Sequence, residues 1–423
     1  MTRSHPTPPS TAMMTTPFTE APLRKPVKNP SRSTTMGLGR AGVPVHEIKL
    51  VRLYEVWMPL KAEFRTSFGA TSLRPAILVE VVDEEGLSGW GEVVAGEGPW
   101  YSYETVWTAW HVIVDFLSKM LPGTADPGEF YERAKRVRGH NMAKAGIEMA
   151  LWDLRARQEG VPLYRLIGGV RDQVSVGVSV GIKGSVEELL AAISGYLEAG
   201  YGRVKIKIKP GWDVGVVERV RREYPDLPLQ VDANAAYTLL DAPHLKKLDD
   251  YDLLMIEQPF HYDDLLEHSD FQRMIKTPVC LDESIKSRRE AVAALRLDSA
   301  KIINIKPGRV GGIIESLKIH EVWSMEAHRP VWIGGMLETG VGRGHLVALA
   351  TLPGVRYPSD ISASSRYYEE DIVDEPWELD GDSQIRVREK PGIGVDVDLE
   401  RLQKYVKRTT TIKPETISNA TSS

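Results

Sequence analysis

The stretch Arg203-Val-Lys-Ile-Lys-Ile-Lys-Pro210 decides how the chain is read. It alternates as a β-strand does, with successive side chains on opposite faces. Lys205, Lys207 and Lys209 would share one face, and Ile206 and Ile208 the other. An edge strand with its lysines in water reads this way. Counting forward points elsewhere. From Lys207, steps of 25, 25, 25 and 24 residues land on Asp232, Glu257, Asp282 and Lys306. Each of the five ends a short apolar run: Val204–Ile208, Leu229–Val231, Leu253–Ile256, Val279–Leu281 and Ile302–Ile305. That spacing suits one strand, one helix and two loops of a (β/α)8 barrel, where eight units take ~250 residues and active sites lie at the C-terminal mouth. Five consecutive strands would thus deliver Lys, Asp, Glu, Asp and Lys to one mouth.

The 423 residues, 42% of them hydrophobic, exceed the roughly 250–300 at which single cores stop growing, so two domains are expected. A net charge of −5 leaves no polyelectrolyte footprint, which argues against a nucleic-acid partner. Cys280 is the only cysteine, so no intrachain disulfide can form, which favours a reducing, cytoplasmic setting. No uncharged apolar run reaches the roughly 18 residues of a membrane span.

Outward from the ladder, residues 1–46 are rich in Pro, Ser and Thr and read as a disordered tail. Residues 47–170 read as an α+β capping domain. Its strands are expected at Lys49–Pro59, Ala76–Val82 and Leu87–Glu92, the last two joined by the acidic turn Asp83–Gly86, with helices at Tyr103–Lys119 and Asn141–Glu159. A polar-aromatic loop, Phe64–Gly69, separates the first two strands. The barrel, residues 171–373, opens at Val174–Ile182. Ser185 with Glu188 forms a capping-box pattern for the next helix, striped by Val186, Leu189, Leu190, Ile193 and Leu197 and ended by Gly200. The barrel runs on through a helix at Gly312–His328, strand seven at Val331–Ile333, a glycine-rich loop from Gly334 and a helix at Gly342–Leu352. Residues 374–405 are expected to return to the cap and residues 406–423 to fray.

Three carboxylates from adjacent strands, with no His or Cys ligand, suit a hard divalent cation such as Mg²⁺. Singly, each acid reads as a cap for the helix after its strand. Three at equal spacing would repel one another at a barrel mouth unless a cation joined them, so the metal reading prevails. Lys207 and Lys306 lie across the mouth from each other. A carboxylate substrate bound there would present its α-carbon between two amines. Such carbon acids are very weak, so the metal would have to stabilise the enediolate. A lysine acts as base only when neutral, and Lys205 together with the metal would lower the pKa of Lys207.

The flanking motifs complete a resemblance. Lys205-Ile-Lys207, Asp232-Ala-Asn234, Ile256-Glu-Gln-Pro259, Leu281-Asp-Glu-Ser284 and Asn304–Gly312, with Ala150–Leu154 and Pro162–Gly169, resemble the muconate-lactonizing subgroup of the enolase superfamily over roughly residues 47–400. The resemblance implies a (β/α)7β barrel, a modified TIM barrel, under an α+β capping domain built from both chain ends. It implies Mg²⁺, or Mn²⁺, on Asp232, Glu257 and Asp282, acid/base lysines at Lys207 and Lys306, a small-molecule carboxylate substrate and assembly as a homo-oligomer.

Within the subgroup, Phe64–Gly69, Gly98–Ser102, Gly139-His140, Gly335–Gly340 and Asp360–Ser364 resemble the N-succinylamino acid racemases and o-succinylbenzoate synthases. By that resemblance Lys205, Ser179, Asn234, Arg309, Gly335 and Glu338 are expected to bind substrate. Dipeptide epimerases carry Asp-x-Asp after the last strand to hold a free ammonium. Here Ser362 stands at the second Asp, which suits an acylated amine. The leading reading is Mg-dependent abstraction of a proton α to a carboxylate, as an N-succinylamino acid racemase that also serves as an o-succinylbenzoate synthase. A dedicated synthase, which shares every ladder residue, is the alternative, and a dipeptide epimerase or cycloisomerase ranks lower. A phosphate cradle at Gly334–Gly344 with Arg343, and a non-catalytic barrel, rank below them, because Glu338 would face the phosphate and no ladder member is missing. His140, His261 and His345 read as packing or surface residues, Cys280 as a buried structural thiol, and the tryptophans as fillers of core and domain interfaces.

Overall fold

The computed structural model describes residues 46–413. The tail expected at residues 1–46, all but its last residue, and the segment 414–423, with its Asn419-Ala-Thr421 sequon, lie outside the described residues.

Strands β1 (Ile48–Arg65), β2 (Ala70–Asp83) and β3 (Ser88–Val93) form an antiparallel meander. The first two outrun the expected Lys49–Pro59 and Ala76–Val82. Pro59 and Pro75 look like strand ends in the sequence, yet Pro75 pairs with Trp57 and the register shifts after Pro59, the kind of irregularity where a sheet tolerates proline. The expected loop Phe64–Gly69 is thereby reduced to a hairpin tip, closed by a Thr66 N–H to Gly69 carbonyl bond of 2.8 Å. The helix Asn141–Gln158 lies on β3, and a Cβ at Gly91 would run into the Gly146 carbonyl, so glycine lets the two backbones touch. The helix expected at Tyr103–Lys119 begins only at Val106, because Thr105 and Thr108 form a capping box, and its α-helical part ends at Asp115. The helix Pro127–Ala134 was not expected. Asp126 caps it and Pro127 opens it, a start signal present in the sequence.

The other large sheet is parallel and curled, in the order β5 (Val178–Val180), β6 (Val204–Lys207), β7 (Leu229–Asp232), β8 (Ile256–Glu257), β9 (Val279–Leu281), β10 (Ile302–Ile305) and β11 (Val331–Ile333). The lysine strand β6 is therefore central, not an edge. The ring is closed by residues 355–360, which run as single bridges between β11 and the chain just before β5. Arg356 and Asp360 N–H groups reach Val331 and Ile333 carbonyls at 3.1 and 2.9 Å, and the Gly177 N–H reaches Ser359 at 2.8 Å. The architecture is a (β/α)7β barrel with an α+β cap.

The expected opening strand Val174–Ile182 is split. Its first part, β4 (Gln173–Ser175), pairs antiparallel with β12 (Gln384–Arg386), and only β5 joins the barrel. The break falls at Gly177, whose backbone lies against the buried Arg203 guanidinium. Ser185 caps the helix Val186–Glu198 through the Glu188 N–H, but Glu188 answers to the Gly184 N–H, so the expected reciprocal box is displaced by one residue. The helix expected across Gly312–His328 is α-helical over Ile313–His320 and π-helical over Glu321–Glu326.

Residues 374–405 include β12, on the barrel side, and the helix Leu399–Tyr405, which touches β1. The fraying expected from residue 406 does not occur over β13 (Val406–Ile412), which pairs with β1 through Leu53–Thr410 and Val51–Ile412. Its threonines favour a strand, and Arg408 both pairs with Glu55 at 2.6 Å and lies 3.9 Å from the Trp110 ring centroid. Trp152, Trp323, Trp332 and Trp377 are fully buried, whereas Trp100 stays 70% exposed at the cavity rim. Cys280 is buried against the Trp332 indole, and the His345 Nε2 bonds the Trp90 carbonyl at 2.8 Å. Among the described residues no helix is long and apolar enough to cross a membrane.

Candidate active site

The five ladder residues meet at the C-terminal ends of β6 to β10. Register does this: Lys207 lies opposite Asp232, and Asp232 opposite Glu257. Lys205 and Lys207 are buried and point inward, into a cluster of acids. The Lys207 Nζ donates to Asp232 Oδ2 at 2.6 Å and to Asn234 Oδ1 at 2.7 Å. Lys205 bridges Asp360 at 2.5 Å, Glu257 at 2.9 Å and Asp232 at 3.3 Å. Lys306 holds Asp282 at 2.7 Å.

A cavity of about 240 Å³ opens above these groups, walled by Phe64, Phe68, Trp100 and Tyr101 of the cap. Lys205, Lys207, Lys306, Ser179, Asn234, Gly335 and Glu338 all line it. Asp232, Glu257 and Asp282 lie beneath, wholly buried. Arg309, expected to contact substrate, does not line the cavity. Its guanidinium is taken by the carbonyls of Ile285 at 2.7 Å and Asn304 at 2.6 Å and by the Asp282 carboxylate. The Ser179 hydroxyl is buried without a partner. A Cβ at Gly335 would press on the Asp360 carbonyl and Glu338, so a side chain there would close the floor. Glycine leaves room.

Sequence reasoning passed over several members. Glu283 follows Asp282, and its Oε1 accepts from Asn234 Nδ2 at 3.1 Å while its Oε2 is buried and unpartnered. Tyr101 donates to Asp282 Oδ1 at 2.9 Å from a cap loop. Asn304 donates to Glu257 Oε1 at 2.6 Å. Glu283 and Asn304 sat inside motifs already singled out, but only folding shows where their side chains go.

The electrostatics are those of crowded acids. Burial, then Asp232, pushes Glu257 up to about 7. Burial, then Asp282 and Asp232, pushes Glu283 up to about 8. Burial works against ionised Asp232 and Asp282 too, but Lys207 holds the first, and Lys306 with Arg309 the second, below the ordinary carboxylate range. Lys306 answers in kind. Burial favours its neutral form, yet Asp282 keeps it above its ordinary value and so protonated.

Among the described residues no three His, Cys, Asp or Glu side chains converge on one point in a metal-ligating arrangement. Here lysines and an arginine hold the oxygens of the ladder acids. The donor set still fits a hard cation. It is all oxygen, burial and then its own mutual repulsion raise Glu257 and Glu283, and one carboxylate oxygen, Glu283 Oε2, has no partner.

The phosphate cradle is excluded by the same kind of accounting. The N-terminal amides of the helix Gly340–Ala350 are taken by carboxylates: Glu92 accepts from the Gly342 N–H at 3.0 Å and Asp371 from the Gly340 N–H at 2.9 Å. Arg343 is bound to the carbonyls of Ser362 and Glu338. No anion site remains at that terminus.

Residues 48–168 match the mandelate racemase / muconate lactonizing enzyme N-terminal domain, and residues 188–402 the enolase C-terminal domain-like family. The chain belongs to this family, within the enolase superfamily. It is 50% identical over 362 residues to an o-succinylbenzoate synthase of Geobacillus stearothermophilus, covering 85% of this chain and 96% of the relative. It is 47% identical over 349 residues to an N-succinylamino acid racemase of Amycolatopsis sp, covering 82% and 94%. The crystal structure of an enolase-superfamily member from Listeria innocua superimposes with a TM-score of 0.83 at 41% identity, covering 88% of this chain and all of that one.

Proposed function

We propose that this chain abstracts the proton α to a carboxylate, racemising N-succinylamino acids and dehydrating the precursor of o-succinylbenzoate. The observation that carries the proposal is that Lys207 and Lys306, from strands on either side of the acid cluster, line one cavity. Racemisation needs a proton removed on one face and returned on the other, so two amines suffice. In dehydration one lysine removes the proton, and the other, kept as an ammonium, steadies the developing negative charge. Asn234, itself held by Glu283, aims Lys207. Lys205 stays charged beneath the substrate carboxylate, since Asp360 and Glu257 hold its pKa well up against burial. A divalent cation, Mg²⁺ or Mn²⁺, held by Asp232, Glu257 and Asp282 would supply further positive charge beside that carboxylate.

The cavity wall at Asp360, and the buried Ser362 two residues on, favour an acylated amine. Asp360 is already bound to Lys205 and to Arg203 at 2.7 Å, and Ser362 gives its hydroxyl to the Gly177 carbonyl at 3.0 Å. Neither offers a free carboxylate to an ammonium. Residues 47–170, joined by β13, serve as the cap, and residues 171–373 as the barrel. The protein acts in the cytoplasm as a homo-oligomer. A dedicated o-succinylbenzoate synthase would use the same residues and is the second reading, favoured by the synthase relatives.

The test is exchange of the α-proton of N-succinyl-D- and N-succinyl-L-phenylalanine in D₂O with Mg²⁺ present. Exchange of both enantiomers supports the racemase. Dehydration without exchange would leave the dedicated synthase, and neither reaction would overturn the proposal.

A further inference from the structure

The two lysines are held differently. Lys207 sits between two polar groups, Asp232 and Asn234. Lys306 has Asp282 on one side and the face of Tyr101 on another, its Nζ 4.7 Å from the ring centroid and 3.3 Å from the hydroxyl. The Sδ of Met336 lies 3.7 Å away. The Tyr101 hydroxyl donates to Asp282 Oδ1 at 2.9 Å, and Arg309 Nη1 approaches it at 3.4 Å. The loop bearing Tyr101 is pinned at its ends by a 2.8 Å bond from the Val106 N–H to the Gly96 carbonyl, so the ring is presented by a closed loop.

We propose that Tyr101 is a positioning residue for Lys306: the cap lends an aromatic wall and a hydroxyl to one of the two bases and none to the other. The hydroxyl takes Asp282 Oδ1 while Lys306 holds Oδ2, so the two share the carboxylate, and the ring blocks the rotamers that would carry the amine toward the cap. An ammonium facing a ring on one side and a shared carboxylate on the other has one remaining direction, into the cavity. The proposal rests on the two-base reading above and predicts a handed defect. A fault in folding or in the cap as a whole would strike both enantiomers alike.

Tyr101→Phe keeps the ring and removes the hydroxyl, which takes one donor from Asp282 Oδ1 and the 3.3 Å oxygen from Lys306, so the amine is left drawn to Asp282 alone. Exchange in D₂O of the N-succinylphenylalanine enantiomer that depends on Lys306 should fall by about tenfold or more, the scale of one hydrogen bond to a charged group. The Lys207-dependent enantiomer should change less than about twofold. Lys207→Ala and Lys306→Ala identify which enantiomer is which. Equal losses for both enantiomers, or no loss, overturn the proposal. If neither alanine variant shows a preference, it is the two-base reading that has failed. A readout independent of turnover then decides on Tyr101. Reductive methylation of Lys306 relative to Lys207, followed by peptide mass spectrometry, should rise severalfold in Tyr101→Leu, which removes wall and hydroxyl together. An unchanged ratio would show that Tyr101 does not position Lys306.

Discussion

Lys207→Ala isolates one base, and its consequences can be worked from the site. The change removes a 2.6 Å bond to Asp232 and a 2.7 Å bond to Asn234. Asp232 is not left alone, because Lys205 stays at 3.3 Å and the Asn234 N–H at 2.9 Å. Stranding a buried charge completely costs about 3–5 kcal/mol. With two partners retained, a cost of about 1–3 kcal/mol is expected, the scale of one charged hydrogen bond, and the protein should fold. The chemical loss is larger. A positioned acid or base is worth about 10²–10⁴ in rate, and racemisation requires both, so it should drop by about 10³ or more. Exchange through Lys306 should survive for one enantiomer, and Lys306→Ala should show the mirror preference. Proton NMR in D₂O measures exchange, polarimetry measures racemisation, and urea titration measures the fold. Racemisation at the wild-type rate in a folded Lys207→Ala protein would refute the assignment. So would loss of both exchanges with stability intact.

Chelation by EDTA should abolish turnover and raise proteolytic susceptibility at the barrel mouth, with Mg²⁺ or Mn²⁺ restoring both better than Zn²⁺. Glu257→Gln should weaken Mg²⁺ binding, read by calorimetry, by about tenfold or more. N-succinyl amino acids should be turned over with kcat/KM at least about a hundredfold above free dipeptides, and comparable values would show that the engaged Asp360 and Ser362 are poor guides. Arg309→Gln should let Asp282 hold Lys306 more tightly and so reduce racemisation more than dehydration; equal losses would contradict that. Stability carries a pH signature as well. Burial chiefly pushes Glu92, Glu104 and Glu148 each up to about 7 in the fold, against an ordinary 4.5. Between those values the folded chain binds more protons than the unfolded one, so stability should fall as pH rises from 4.5 through 7. Calorimetric Tm of the metal-free protein should be lower at pH 8 than at pH 5.5, and a rising Tm would refute it.

The ladder was legible from the sequence because a barrel repeats. Once Lys207, Asp232, Glu257, Asp282 and Lys306 recur at one strand-to-strand period, their arrival at one mouth follows from geometry alone. The acidic turn at Asp83–Gly86 was legible for a local reason, whereas the helix starts at Thr105 with Thr108 and at Asp126 were passed over although their signals are equally local. What the chain does at long range was not legible. β13 pairs with a strand more than 350 positions earlier, and nothing in Val406–Ile412 names that partner. Arg309 sat within reach of Lys306 in sequence, yet the fold turned it onto two carbonyls and the far side of Asp282. Tyr101 reached Lys306 from a different domain, 205 positions away. Periodicity and local hydrogen bonding determine where a backbone puts its own residues. Which distant side chain shares a carboxylate depends on how two layers dock, and only the tertiary structure decides that.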